Sequence, residues 1–161
     1  MEDKLMDSSD IIDFSSMAGR VGAAYKIAAE AHKDQKDKAG VDYILHPVTV
    51  ASNVGDDESA RIVALLHDVV EDTNVTLEAL QELLTPEELS ALKLLTHNDG
   101  VPYLDYIRLI SENALATKVK LADLKNNMDL SRLPVVTEKD LKRLEKYKTA
   151  FSFLKKRQFD Y

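Results

Sequence analysis

A run of residues able to make a clean apolar helix, Ala64 to Val75 (ALLHDVVEDTNV), is interrupted by four costly polar groups, His67, Asp68, Glu71 and Asp72. The His-Asp pair lies between Ala64-Leu65-Leu66 and Val69-Val70. An imidazole and a carboxylate half-buried among aliphatics need a partner. Helical periodicity runs through Ile62, Leu65, Leu66 and Val69, so the spacing predicts one continuous central helix over ESARIVALLHDVVED. On it His67 and Glu71, and Asp68 and Asp72, form adjacent rows on one face. The acids then crowd the last turns, where the helix dipole disfavours each anion by about 0.3 to 1 kcal/mol. Two arrangements relieve this: a solvated helix end, or a bound cation that turns repulsion into coordination. The buried setting of the His-Asp pair weighs toward the cation.

A metal ion needs more ligands than one helix offers. His46 opens a helix beside Pro47 in YILHPVTVASNV, where a ring can point into a cleft or simply cap and pack. Asp123 sits between Ala122 and Leu124 in an apolar-periodic segment, VKLADLKNNMDL, with Asn127 one turn later on the same face.

Elsewhere the chain also reads as helix. Val21, Ala24, Ile27 and Ala28 make one stripe, and Asp56-Asp57 give the central helix an acidic start. Further helices are expected at LEALQELL, PEELSALKLLTH, YLDYIRLISEN, ATKVKLADLKNNM and EKDLKRLEKYKTAFSFLKK, with Leu141, Leu144, Phe151 and Leu154 as the buried stripe of the last. No segment alternates as a strand, and five glycines and four prolines leave little material for tight turns. The expectation is an all-α, single-domain helical bundle: a flexible leader over residues 1–17 and one domain over 18–161.

Composition excludes several functions. With no cysteine there is no disulfide, thiolate metal site or thiol nucleophile. A net charge of −7 argues against a nucleic-acid polymer as partner. The charge is uneven: residues 1–19 carry −4 and residues 141–157 carry +6, leaving −7 + 4 − 6 = −9 for the rest. No apolar stretch approaches a membrane span, and the acidic start MEDKLMDSSD is unlike a secretory signal, so a cytoplasmic location is expected.

The ordered set His46…His67-Asp68…Asp123 resembles the H…HD…D signature of the HD-domain metal-dependent phosphohydrolases, an all-helical superfamily. More narrowly, YILHPVTVA, ALLHDVVEDT and VKLADLKNNM are similar to the hydrolase domain of the RelA/SpoT-type alarmone enzymes and their small stand-alone relatives, which remove the 3′-pyrophosphate of (p)ppGpp with manganese. The resemblance implies that His46, His67, Asp68 and Asp123 bind one divalent ion. Two imidazoles and two carboxylates suit Mn2+ or a similar transition metal better than magnesium or calcium. It also implies that Glu71 and Asp72 are the catalytic pair, orienting a water and carrying its proton. Asn127, Lys120 and Lys38 match positions near the nucleotide's sugar and phosphates. In LTHNDGVPYLDYI, Tyr103 is a candidate to stack on a base, beside His97 and Tyr106.

Three positions depart from the family pattern. Asp37, in Gln35-Lys36-Asp37-Lys38, stands where an arginine is usual, and Leu124 and Asp129 replace basic residues around the metal aspartate. Phosphate clusters are normally met by arginine or lysine. These three losses of positive charge count against a substrate as anionic as (p)ppGpp, while the complete ligand set and the intact Glu71-Asp72 pair keep hydrolysis of guanosine 3′,5′-bis(diphosphate), with release of pyrophosphate, as the favoured function. The alternatives are an HD-type phosphomonoesterase or nucleotidase on another phosphoester, and a non-catalytic sensor of metal and nucleotide. In each case the partner is a nucleotide or other phosphorylated small molecule, and the oligomeric state is open.

Overall fold

The computed structural model of the chain describes residues 11–131 and 133–158. Within them the helices run in the order α1 (Gly19–Ala31), α2 (Leu45–Ser52), α3 (Glu58–Leu66), α4 (Val69–Asp72), α5 (Leu77–Leu80), α6 (Pro86–Leu95), α7 (Tyr103–Ser111), α8 (Ala114–Asn127) and α9 (Glu138–Gln158). No strand occurs among the described residues, and one bridge joins Lys36 to Asp42. The all-α expectation holds.

Helix starts follow capping chemistry. Asp57 accepts from the Ala60 N–H and Asn113 from that of Ala116. Thr85 and Glu88 bond reciprocally around Pro86 at the first position of α6. The axis of the bundle is α3, whose Ala60, Ile62, Val63, Ala64, Leu65 and Leu66 are all buried. A helix apolar on most sides must be covered on most sides, and α1, α2, α6 and α8 pack around it.

The continuous central helix is corrected. α3 ends at Leu66, His67 and Asp68 make a turn, and the four-residue α4 starts at Val69. His67 Nδ1 donates to the Ala64 carbonyl at 2.6 Å, whereas the backbone N–H of His67 is 3.5 Å from it. A side chain thus takes the acceptor that a continuing helix would use. Glu71 and Asp72 consequently belong to a separate single turn of helix, whose four residues sum to a much smaller dipole than one continuous helix would.

Of the leader expected over residues 1–17, residues 1–10 lie outside the described residues. Residues 11–17 pack on the body: Phe14 is 1% exposed, and the Ile12 N–H donates to Ser52 Oγ at 2.9 Å. The chain then crosses α1 at Gly22, where a Cβ would stand 1.9 Å from the Met17 carbonyl oxygen. In the α1 stripe, Val21, Ala24 and Ala28 are buried and Ile27 is half-buried. The stripe of α9 holds at Leu144, Phe151 and Leu154 and departs from expectation at Leu141. Asp140, Ala150 and Leu154 are buried, with Leu144 and Phe151 half-buried, while Leu141 is 50% exposed.

One buried charge ties α6 to α1 and α3. Glu88 accepts from Ser59 Oγ, the Thr85 N–H and the Arg20 guanidinium. Burial would raise its carboxyl pKa, but these donors outweigh burial and hold it below the usual 4.5. A depressed carboxylate contributes stability above its unfolded pKa and loses it as pH falls through the folded value. Glu88→Gln should therefore cost about 1 to 3 kcal/mol near neutral pH, a buried-pair figure discounted because Arg20 is partly exposed. It should also flatten the acid limb of the stability curve. Urea denaturation near pH 7 and near pH 3 checks this, and identical pH slopes in both proteins would contradict it.

Candidate metal centre

Three elements converge on one point. His46 comes from the first turn of α2, His67 and Asp68 from the turn between α3 and α4, and Asp123 from α8. His46, His67 and Asp123 are 7%, 4% and 4% exposed, so this is an interior site. Asp123 Oδ1 lies 2.8 Å from His46 Nε2 and 3.3 Å from His67 Nε2. Asp68 Oδ2 lies 3.0 Å from His67 Nε2 and 3.6 Å from His46 Nε2. Neighbouring ligands bonded at about 2.0 to 2.2 Å to one transition-metal ion, at right angles, stand roughly 3 Å apart. The observed spacing fits that geometry. His46, His67 and Asp123 together form a group able to hold a metal ion.

The hydrogen-bond pattern points the same way. His67 Nδ1 is committed to Ala64, and its Nε2, buried between two carboxylates, has no aligned hydrogen-bond partner. His46 Nδ1 is met by Asn126 Oδ1 at 2.6 Å, which turns Nε2 toward the centre. Tyr43 donates its hydroxyl to Asp68 Oδ2 at 2.7 Å, and Asn127 Nδ2 donates to Asp123 Oδ1 at 3.1 Å. Every imidazole and carboxylate of the cluster is thus fixed from behind. The cluster's electrostatics call for positive charge. Burial opposes protonation of His67, but the charges of Asp68 and Asp123 overcome it and hold its pKa well above the usual 6.5. Burial opposes ionisation of Asp123, and Lys120 with His67 reverses that, leaving its carboxyl well below the usual range. Oriented partners of this kind tune metal affinity by about 10- to 100-fold, so Asn126→Ala should weaken Mn2+ binding by that amount. Unchanged affinity in a metal titration would contradict the role given to Asn126.

The remaining expected site residues divide between two cavities. Glu71 and Asp72 line a cavity of about 360 Å³ together with His46, Asp68 and Asp123. Burial at the cavity wall, then the charge of Asp68, raise the pKa of each of the pair, and the charge of Asp72 raises that of Glu71 further. Tyr103 lines the same cavity with its hydroxyl buried and unpartnered. Burial raises its pKa to about 12. Lys120 is in this wall too, but its Nζ is bonded to Asp123 Oδ2 at 2.9 Å and lies 5.2 Å from the centre of the Tyr106 ring. Tyr106 is a core residue donating to the Leu95 carbonyl and stacked on His97. Lys38 lies apart, on an adjoining cavity of about 330 Å³, 3.6 Å from Asp140. Asn127 and Tyr43 line both cavities.

The departures from the family pattern have structural explanations. Asp37 Oδ1 accepts the Ala39 and Val41 N–H groups, and Asp129 Oδ1 accepts from Ser131. Both carboxylates therefore cap their own loops, and Leu124 is a fully buried core residue. Sequence reasoning missed Tyr43, Asn126, Lys146 and Tyr147. Tyr43 and Asn126 sit inside the quoted motifs, three residues before His46 and one before Asn127, but nothing in periodicity marks a residue that acts by fixing a ligand.

An interior His-Asp centre in an all-α bundle, fed by a turn reading His-Asp, defines the HD domain. A family model for the HD domain matches residues 24–121, and the chain belongs to that family. Over 138 residues it is 33% identical to the guanosine-3′,5′-bis(diphosphate) 3′-pyrophosphohydrolase of Aquifex aeolicus (strain VF5), covering 80% of this chain and 20% of that protein. A probable guanosine-3′,5′-bis(diphosphate) 3′-pyrophosphohydrolase of Synechocystis sp. (strain ATCC 27184 / PCC 6803 / Kazusa) is 34% identical over 119 residues, 65% of this chain and 16% of that one. The chain therefore spans about a fifth or less of these curated relatives. Among solved structures, a metazoan ortholog of SpoT, reported to hydrolyse ppGpp, superposes with a TM-score of 0.71 at 23% identity. That match covers 89% of this chain and 94% of that one, a likeness of fold. Among the described residues no helix is long and apolar enough to cross a membrane.

Proposed function

We propose that this chain is a metal-dependent phosphohydrolase acting on a nucleotide, with removal of the 3′-pyrophosphate of guanosine 3′,5′-bis(diphosphate) as its reaction and the cytoplasm as its place of work. The observation that carries this reading is the meeting of His46, His67, Asp68 and Asp123 around the bare Nε2 of His67. In it these four hold one divalent ion, Mn2+ by family expectation. The nitrogen-and-oxygen donor set suits a transition metal. When bound, the ion supplies Lewis-acid polarisation of a phosphoryl oxygen and makes water a better nucleophile at neutral pH.

The chain's own residues do the rest. Glu71 and Asp72, on the cavity wall next to the cluster, orient the attacking water and take its proton. Asn127 and Lys120 keep the Asp123 carboxylate in place from behind, and the adjoining cavity with Lys38 is the space for the rest of the nucleotide. Names of relatives support the substrate, and the likeness of fold to the SpoT ortholog agrees with it.

The loop-capping roles of Asp37 and Asp129 keep a second reading alive, hydrolysis of a phosphomonoester, because neither aspartate supplies the positive charge usual at its position. Purified protein loaded with Mn2+ and given ppGpp and a panel of nucleoside monophosphates separates the two. Pyrophosphate release from ppGpp is expected, with chelator abolishing it. Orthophosphate release from a monophosphate, with ppGpp untouched, would replace the favoured reaction by the second.

A further inference from the structure

Two lysines line the cavity that contains the cluster, Lys120 and Lys146. Lys120 is spent on Asp123. Lys146, on the face of α9 turned toward α7 and α8, pairs with no carboxylate among the described residues. Its Nζ lies instead 4.5 Å from the centre of the Tyr103 ring and 5.7 Å from that of Tyr147. An aromatic face orients an ammonium without neutralising it and leaves its N–H groups free to bind an anion. Beside it, the Tyr103 hydroxyl is buried with no hydrogen-bond partner.

Lys146 is exposed to this cavity, and although Asp68, Glu71, Asp72 and Asp123 line it too, among the described residues Lys146 meets rings rather than one of these carboxylates. An ammonium and a phenol hydroxyl, both donors and both unspent, face a space bounded on the far side by a centre that calls for a cation. A ligand with two anionic groups a few ångströms apart satisfies both walls. One phosphate alone satisfies one of them.

We propose that Lys146, with the Tyr103 hydroxyl beside it, binds the distal phosphate of a diphosphate-bearing substrate whose proximal phosphate lies over the His46–His67–Asp68–Asp123 cluster. The inference rests on the phosphohydrolase reading above and narrows its substrate class to a diphosphate ester rather than a monoester. The cation absent from positions 37 and 129 is thereby supplied from α9. Lys146 acts in binding, so its loss weakens affinity more than it slows turnover.

The test compares wild type, Lys146→Met and Lys146→Arg, each loaded with Mn2+, by ppGpp kinetics and by calorimetric binding of inorganic pyrophosphate and of orthophosphate. For Lys146→Met, KM for ppGpp should rise and pyrophosphate affinity fall by about tenfold, the scale of one charge-assisted contact. Its kcat and orthophosphate affinity should change by no more than about twofold, and Lys146→Arg should recover most of the loss. Pyrophosphate binding as tight in Lys146→Met as in wild type overturns the proposal, and so does an equal loss for orthophosphate, which would mark a structural defect. If wild type leaves ppGpp intact while the binding results come out as expected, the choice of reaction fails and the role of Lys146 stands.

Discussion

Asp123→Ala is expected to lose the bound ion and about three orders of magnitude in the rate of pyrophosphate release. Asp123 meets both imidazoles of the centre: Oδ1 is within 3.3 Å of His46 Nε2 and His67 Nε2 and accepts from Asn127, while Oδ2 accepts from Lys120. Metal polarisation of a phosphoryl oxygen contributes several kcal/mol of transition-state stabilisation, and about 4 kcal/mol corresponds to roughly a thousandfold at 1.36 kcal/mol per tenfold. Asp123→Asn, which keeps the volume and the Asn127 contact but not the charge, should lose the ion as well. Elemental analysis after Mn2+ incubation, kcat/KM for ppGpp and a circular-dichroism melt together check the prediction. A folded Asp123→Ala protein within tenfold of wild-type activity would contradict it.

The second large effect is on stability, and metal should lessen it. Lys120 is buried in the cavity wall, with its ammonium on Asp123. Burial would lower its pKa, yet Asp123 holds it well above the usual value. Replacing Lys120 with methionine keeps the stem's packing and leaves the carboxylate without its cation. Breaking a buried pair from one side costs about 3 to 5 kcal/mol, and Lys120→Met should lose that much in the metal-free protein. On the proposed reading added Mn2+ would bind the native state and bring positive charge to the same carboxylate, so it should raise the variant's Tm more than that of wild type. Urea denaturation with chelator and with Mn2+ measures both. The same loss under the two conditions would show that Lys120 and the ion do not share Asp123.

Much of this was legible in the sequence because helices and their ends are local. Ile62, Leu65, Leu66 and Val69 announce a buried helix, and Thr85-Pro86 with Glu88 announces the start of α6. His67-Asp68 stood out as polar groups among aliphatics, whereas His46 and Asp123 joined them only through the resemblance to the H…HD…D pattern; the structure places His46, His67 and Asp123 at one interior point, with Asp68 beside both imidazoles. What was missed depends on side chains meeting across the chain. The break at His67-Asp68 arises from one ring taking a backbone acceptor, which periodicity cannot register. Asn126 looks like any polar residue late in a helix until His46, 80 residues away in sequence, turns out to be its partner. The outward turn of Leu141 on α9 was missed as well. Asp140 is buried at the start of α9, where it accepts from the Thr137 hydroxyl and N–H, and the adjacent Leu141 is 50% exposed. Asp37 and Asp129 read as lost cations, whereas each closes its own loop.

The most direct measurement is anomalous diffraction at the manganese edge from crystals of the protein grown with Mn2+. A single strong peak is expected at the meeting point of α2, the α3–α4 turn and α8, bonded by Nε2 of both His46 and His67 and by carboxylate oxygens of Asp68 and Asp123. A peak elsewhere, or one from which the imidazole of His46 or the carboxylate of Asp123 stands clear, would contradict it.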